Sequence, residues 1–139
     1  MNGVSIGLDA VGDYAIHQDW SRLVTVSDPA RPGEIIHAYG SGWGAVDGTV
    51  QSGIPTPTGR LYNITAPCQW SALSAPFNSS APEYPFTVQF SGLAPGLVGL
   101  YQLDFLIPPG WSFHLFNPIC RIGSNYTVMG TVPVALTTP

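Results

Sequence analysis

The 139-residue sequence has no lysine and very little charge of either sign. Charged residues make up 9 % of the chain, whereas an average globular domain has about 25 %. The net charge of −4 argues against nucleic acid or an anionic membrane surface as a partner, because both attract cationic proteins. No apolar run reaches the roughly 18 residues of a membrane-spanning helix, and the N-terminus lacks the basic and apolar regions of a signal peptide. We therefore expect no membrane insertion.

Cysteine is nearly absent as well, with only Cys68 and Cys120 in the chain. Neither lies in a spacing typical of metal sites, so the two form one disulfide or remain two buried thiols. The low charge and the abundance of Ser, Thr, Gly and Pro resemble a secreted domain, and disulfides persist in oxidising compartments. We therefore expect a Cys68–Cys120 disulfide and a secreted, extracellular location.

Glycine and proline are abundant, with 16 and 14 residues spread along the chain without a period. Such residues separate short elements joined by turns, which is typical of all-β sandwiches and barrels. The hydrophobic fraction of 45 % is sufficient for a packed core, and the length fits one domain. The sequence thus predicts a single all-β domain over residues 1–139.

The clearest strand pattern follows the turn at Gly92–Gly96 and ends at Pro108–Gly110. Neither proline there can donate to a β-ladder, so the strand stops. Alternation places one set of aromatic and branched side chains on a single face. We expect that face to meet the core: Tyr101, Leu103, Phe105 and Ile107.

Further short strands are predicted on either side of this one. Residues 71–85 and 45–59 are expected to be long loops, and residues 111–122 an excursion with short extended parts. Apolar residues near the N-terminus, from Val4 to Val11, suggest a leading strand. The remaining strands are predicted at residues 14–18, 34–40, 60–65, 86–90 and 131–136, the last at a sheet edge because it contains Pro133.

An ordered set of five motifs runs along the chain: Ala15-Ile-His-Gln-Asp19, Pro29-Ala-Arg-Pro-Gly-Glu-Ile-Ile36, Tyr39-Gly-Ser-Gly-Trp-Gly44, Phe90-Ser-Gly-Leu-Ala-Pro-Gly96 and Gly99-Leu-Tyr-Gln-Leu103. With these motifs the chain resembles the uncharacterised C-terminal domain family named after Solibacter, found at the ends of large secreted acidobacterial proteins. The portion from Pro32 to Gly44 is also similar to the opening of immunoglobulin-like IPT domains. The resemblance implies an immunoglobulin-like β-sandwich of about seven or eight strands with long loops, forming the C-terminal module of a larger secreted protein.

The chain departs from the family pattern in two segments, residues 66–85 and 111–130, which are longer than the family leads us to expect. Each holds one cysteine, so a disulfide would tie the two segments together. They also carry flat aromatic side chains, which in loops often stack on sugar rings or on partner proteins; core packing is the alternative. Trp43 lies inside a family motif and Trp20 directly follows one, and both are expected to be structural. The candidate ligand-binding residues are Trp70, Tyr84, Trp111 and Phe113.

Catalytic and metal-binding patterns are missing from the sequence. The three histidines His17, His37 and His114 lie in no ligand spacing, so we expect no metal and no cofactor. No phosphate-binding loop or nucleophile elbow is present, and no two carboxylates are placed by sequence to act as a glycosidase pair. Asp104 lies mid-strand opposite the core face, which indicates a solvated sheet face rather than a catalytic carboxylate.

These observations predict a non-catalytic extracellular accessory module that binds polysaccharide or a cell-surface component through its loop aromatics. The alternative is a structural, assembly or sorting module that makes protein–protein contacts, including contacts with other domains of its parent protein. A secreted enzyme acting on polysaccharide is the least favoured of the three classes.

Overall fold

The computed structural model describes residues 15–75 and 82–136 of the chain. The leading strand expected near the N-terminus lies outside these residues. The described chain contains two antiparallel sheets and no helix, which confirms the all-β sandwich. Its nine strands are β1 (Ala15–Ile16), β2 (Ile35–Gly40), β3 (Gln69–Leu73), β4 (Glu83–Pro85), β5 (Thr87–Leu93), β6 (Tyr101–Leu106), β7 (Leu115–Ile122), β8 (Asn125–Val128) and β9 (Val132–Pro133).

The first sheet has the strand order β1-β2-β6-β5. β2 and β6 form its centre and pair over six positions, from Ile35 opposite Leu106 to Gly40 opposite Tyr101. The expected alternation in β6 is present, because Leu103 and Phe105 are fully buried, as is Ile107 just beyond the strand. Tyr101, the fourth residue of that set, is only half-buried. The face assignment of the central strand is therefore confirmed.

The outer face of this sheet receives one aromatic residue that the sequence places inside. Alternation in residues 86–90 predicts that Phe86, Val88 and Phe90 all point inward. The pairing of β5 with β6 shifts by one residue between Val88 and Phe90, which leaves Val88 opposite Phe105 and Phe90 opposite Asp104. This β-bulge turns Phe90 to the outer face, since one extra residue reverses the side to which the following side chains point.

The second sheet has the order β4-β3-β7-β8, and β9 also pairs with β7. Most of it is built from segments that the sequence indicates as loops, which is why there are nine strands rather than seven or eight. β7 is the longest strand and contains Pro118 opposite Ala72. The Pro118 carbonyl accepts from the Met129 amide. In an antiparallel strand the nitrogen and the carbonyl of one residue face the same side, so the Pro118 nitrogen also points toward Met129 and away from β3. Because proline lacks an N–H only on that side, the hydrogen bonds between β7 and β3 are unaffected.

The predicted strand at residues 60–65 is not one of the nine. Its residues form single bridges instead, Asn63 with Gly92 and Ile64 with Val46. The segment therefore extends the edge of β5 only briefly. Gly92 allows this approach, because a Cβ atom there would lie 1.9 Å from the Tyr62 carbonyl oxygen.

The Cys68–Cys120 disulfide is present, with a Cα–Cα distance of 4.8 Å. Cys120 belongs to β7, and Cys68 immediately precedes β3, the strand hydrogen-bonded to β7. The bond therefore joins neighbouring segments of one sheet, and it ties together the two long segments as predicted.

Within residues 15–75 and 82–136 there is no helix long and apolar enough to span a membrane.

Candidate functional site

Three of the four predicted binding residues line one cleft. Tyr84, Trp111 and Phe113 lie at a cleft of about 280 Å³ between β4 and the segment that follows β6. Its remaining lining residues are Pro85, Pro108, Gly110 and Ser112. The two long segments therefore do come together at one surface, and their aromatic side chains meet there.

The three rings contact one another directly. The Tyr84 ring centroid lies 5.3 Å from that of Trp111 and 5.5 Å from that of Phe113, and the Trp111 and Phe113 centroids are 5.3 Å apart. Trp111 meets Tyr84 at 86° and Phe113 at 70°, the edge-to-face packing that aromatic side chains prefer, whereas Tyr84 and Phe113 are tilted by 42° to each other. The cleft is thus a pre-formed aromatic cluster rather than three separately placed side chains.

Local structure fixes the position of each ring. β4 places Tyr84 opposite Ala72 of β3. The turn after β6 is closed by a hydrogen bond from the Trp111 amide to the Pro108 carbonyl. The Trp111 indole N–H donates to the Leu115 carbonyl at 3.1 Å. Trp111 is only 6 % exposed and forms the floor, whereas Tyr84 and Phe113 are half-buried and form the walls.

Trp70, the fourth predicted residue, is not part of this cleft. It lies on β3 opposite Cys120 of β7, and its ring meets that of Phe86 edge to face, with 6.3 Å between centroids. Trp70 is half-buried and packs against the core. Its position therefore agrees better with the core-packing alternative than with a ligand-stacking role.

None of the described residues that line the cleft has a charged side chain. Their side-chain polar groups are the hydroxyls of Tyr84 and Ser112 and the Trp111 indole N–H, which already donates to Leu115. An apolar aromatic surface with a few hydroxyl groups suits an uncharged ligand, because a charged one would be desolvated there without an opposite charge.

No family model matches the sequence, and no curated protein or solved structure matches it.

A second region, which the sequence does not identify, is built around the buried side chain of His17. His17 is almost fully buried and sits between Glu34 and Asp28. Its Nδ1 atom lies 2.6 Å from Glu34 Oε2, and its Nε2 atom lies 2.9 Å from the Asp28 carbonyl oxygen. These residues line a polar cleft of about 360 Å³ together with Gln18, Arg22, Arg31, Pro32 and Gly33.

Asp104 has a different environment from the solvated sheet face expected for it. His37 Nδ1 lies 2.8 Å from Asp104 Oδ1, and the Gln102 side-chain amide donates to the same oxygen at 2.9 Å. Burial, reinforced by the negative charge of Asp104, raises the pKa of the nearby Tyr39. The carboxylate is therefore an internal hydrogen-bond acceptor on the outer face of the first sheet.

Metal ligation finds no support in the residues that the structure describes. They contain no group of three or more His, Cys, Asp or Glu side chains placed to hold an ion. His17 and His37 each have both ring nitrogens facing protein oxygens. In both rings, these oxygens occupy the positions that a metal ion would need beside the nitrogens.

Proposed function

We propose that this chain is a non-catalytic, extracellular accessory module that binds a neutral polysaccharide through the cleft of Tyr84, Trp111 and Phe113. The observation that carries the proposal is the convergence of these three aromatic side chains, from two distant segments, on one uncharged cleft. Flat apolar rings offer a complementary surface to the C–H faces of sugar rings, and the two hydroxyls offer hydrogen bonds.

Rigidity of the cleft supports a binding role. The floor residue Trp111 is held by its hydrogen bond to Leu115. The disulfide joins residues 66–85, which include Tyr84, to residues 111–130, which include Phe113. A site that is already ordered loses little side-chain entropy when a ligand binds, so more of the contact energy appears as affinity.

An extracellular location is supported by the disulfide and by the low content of charged residues. Disulfides of small domains persist mainly in oxidising compartments. A non-catalytic role is supported by the lining of the aromatic cleft, which among the described residues includes no carboxylate, histidine or cysteine side chain.

A second candidate function is assembly through protein–protein contacts. It is favoured by large apolar side chains that are exposed at positions outside the aromatic cleft. Exposed apolar surface is where proteins usually contact other domains. Examples are Val26, Leu23, Ile54, Leu61, Val98 and Ile122. They lie on several separate segments, and so the single aromatic cleft remains the better-defined site.

Retention on insoluble polysaccharides tests the proposal. The double variant Tyr84→Ala with Phe113→Ala removes both walls and leaves the buried floor in place. We expect it to lose retention on any of cellulose, chitin or xylan that holds the wild type, while it stays folded with a lowered unfolding midpoint, because both rings also pack against the core. Tyr126→Ala is the matched control, because Tyr126 is a half-buried aromatic residue beside Arg121 on the other sheet surface.

Two results would contradict the proposal. One is a folded double variant that is retained as strongly as the wild type. The other is a wild-type protein that none of the three polysaccharides retains, in which case the assembly function becomes the better explanation.

A further inference from the structure

A row of paired residues crosses the outer face of the first sheet. The backbone register places each member beside the next, so their side chains share one surface. Apolar side chains lie at both ends of the row, and an imidazole–carboxylate pair lies at its centre. In order, the row is Leu23, Ile16, His37, Asp104 and Phe90.

Trp20 lies flat on the centre of this row. Its ring is stacked on the His37 ring, with centroids 3.5 Å apart and planes inclined by 11°. Trp20 is nevertheless 53 % exposed, whereas His37 is only 6 % exposed. One indole face is therefore covered by the imidazole, and the exposed area lies on the opposite face and the ring edges.

Hydrogen bonds fix the ring that supports Trp20. His37 Nδ1 faces Asp104 Oδ1 at 2.8 Å, and His37 Nε2 faces the Gln18 carbonyl at 3.2 Å. Asp104 is itself held by the Gln102 amide. Since the imidazole cannot turn without breaking these bonds, the indole plane has a defined orientation before any ligand arrives.

The backbone of Trp20 is unusual for so large a residue. Its φ of 65° is the only positive value at a non-glycine position in the described part of the chain. The Trp20 amide donates to the His17 carbonyl in a tight hairpin loop. Glycine or asparagine would adopt this left-handed conformation with less strain than tryptophan. Residues whose backbone is held in this sparsely populated region often lie at functional sites.

We propose that Trp20 is a second stacking plate, which receives the flat C–H face of a pyranose ring in a neutral polysaccharide. The inference rests on the proposed glycan-binding function and adds a site on a different surface from the aromatic cleft. The charges in the row favour a neutral ligand, because His37 and Asp104 face each other and are largely buried.

A hydrogen-bonding group accompanies the plate. Asp19, the preceding residue, accepts from the Ser21 hydroxyl at 2.7 Å and from the Ser21 amide at 3.0 Å, both through Oδ1. These bonds lower the pKa of Asp19, so its carboxylate is ionised at neutral pH. Its Oδ2 atom has no hydrogen-bond partner within residues 15–75 and 82–136, and it can accept from a sugar hydroxyl.

A purely structural role for Trp20 would be to shield the His37–Asp104 pair from water. The two roles differ in what a sugar does to the indole. A shielding residue has no reason to respond to an added oligosaccharide, whereas a stacking plate experiences a new neighbour on its open face.

The four tryptophans of the chain give a separate readout for each site. Cellohexaose and chitohexaose are titrated into ¹⁵N-labelled protein, and the indole N–H peaks are followed by NMR. The variant Trp20→Asn identifies the Trp20 peak by its disappearance. We expect a saturable shift of the Trp20 peak with at least one sugar, and a stationary Trp20 peak with both sugars would overturn the inference. A shift of the Trp111 peak alone would support binding in the aromatic cleft and contradict stacking on Trp20. A shift of the Trp20 peak alone would support stacking on Trp20 and contradict binding in the aromatic cleft.

Affinity measurements on the variants complete the test. Trp20→Asn suits the left-handed backbone and should keep the hairpin, yet it should weaken binding of the shifting sugar by about tenfold or more, as for a dominant contact residue. Trp20→Phe should restore part of that loss. Unchanged affinity in a folded Trp20→Asn variant, with only its melting temperature lowered, would show that Trp20 is a shield and not a plate.

Discussion

Phe105 of β6 and Phe116 of β7 stack face to face across the interior of the sandwich, with ring centroids 5.3 Å apart and planes inclined by 9°. Both are fully buried, and each belongs to an inner strand of its own sheet. The Phe86 ring meets both of them edge to face. The contact between the two layers is thus organised around one aromatic trio.

Phe105→Ala should therefore lower the free energy of unfolding by about 3–5 kcal/mol, the usual cost of truncating a large core residue. Phe90→Ala is the matched control, because Phe90 is turned to the outer face by the β-bulge and should cost much less. Urea unfolding of both variants measures the difference. Equal losses would mean that the bulge does not separate the two faces.

The bulge illustrates what sequence reasoning can and cannot find. Strands β2 and β6 show clean alternation because one face of each meets the core and the other does not, and the pattern predicts their bounds within a residue or two. Alternation alone places Phe90 on the wrong face, because an inserted residue leaves no mark on the pattern. It does not predict β7, since burial runs from Phe116 to Cys120 on both faces and Pro118 suggests a loop.

The candidate site was predictable in part for a similar reason. Composition points to Tyr84, Trp111 and Phe113 because aromatic residues stand out in polar, proline-rich segments, and their role in binding stays a prediction. Trp70 belongs to the same segments but packs on the core, a difference that depends on the register of β3 against β7. The sequence favours a structural role for Trp20, because neither its left-handed backbone nor its exposed face can be read from the sequence.

Gly92→Ala should be among the most destabilising single-methyl substitutions in this chain. A Cβ atom at Gly92 would lie 1.9 Å from the Tyr62 carbonyl oxygen and 2.9 Å from the Phe90 ring. The backbone contact cannot relax by a side-chain rotation, so the bridge between Asn63 and Gly92 must open. Gly59→Ala, where a Cβ meets nothing within 4 Å, is the control, and thermal unfolding of the two variants compares them. Similar melting temperatures would disprove the close approach.

The pair of Glu83 and Arg121 should make stability depend on acid pH. Hydrogen bonds from the Arg121 guanidinium and from the Ser71 hydroxyl lower the pKa of Glu83 in the folded protein. A carboxylate whose pKa is lower in the folded than in the unfolded protein stabilises the fold at pH values above its unfolded-state pKa, which is about 4.3 for glutamate. This stabilisation is lost as the pH falls through the folded-state pKa. Glu83→Gln should therefore destabilise the protein near neutral pH and have little effect in strong acid.

Urea unfolding of wild type and Glu83→Gln from about pH 7 down to about pH 2 measures this convergence, over the range in which carboxyl groups titrate. A constant difference between the two proteins at every pH would show that the pair contributes nothing through ionisation. Arg121→Met gives an independent comparison, because it removes the main cause of the shift while Ser71 keeps its hydrogen bond.

Removal of the disulfide should lower the free energy of unfolding by about 4 kcal/mol on the loop-entropy model, since the closed loop spans a separation of 52 residues. The double variant Cys68→Ala with Cys120→Ala and the reduced wild type should lose similar amounts. Urea unfolding with and without reductant, with intact mass to verify the bond, measures the effect. A loss below about 1 kcal/mol would mean that β3 and β7 hold together without the cross-link.

The same cross-link bears on how the chain reaches its native state. The two central pairings join strands that are far apart in sequence, β2 with β6 and β3 with β7, and topologies dominated by such pairings fold in milliseconds to seconds. In the folded protein the pairing of β3 with β7 holds Cys68 and Cys120 side by side. Assembly of the second sheet should therefore accelerate the loss of free thiols during oxidative refolding above its rate in urea, and comparison with a fluorescence signal from the interior relates that step to formation of the core.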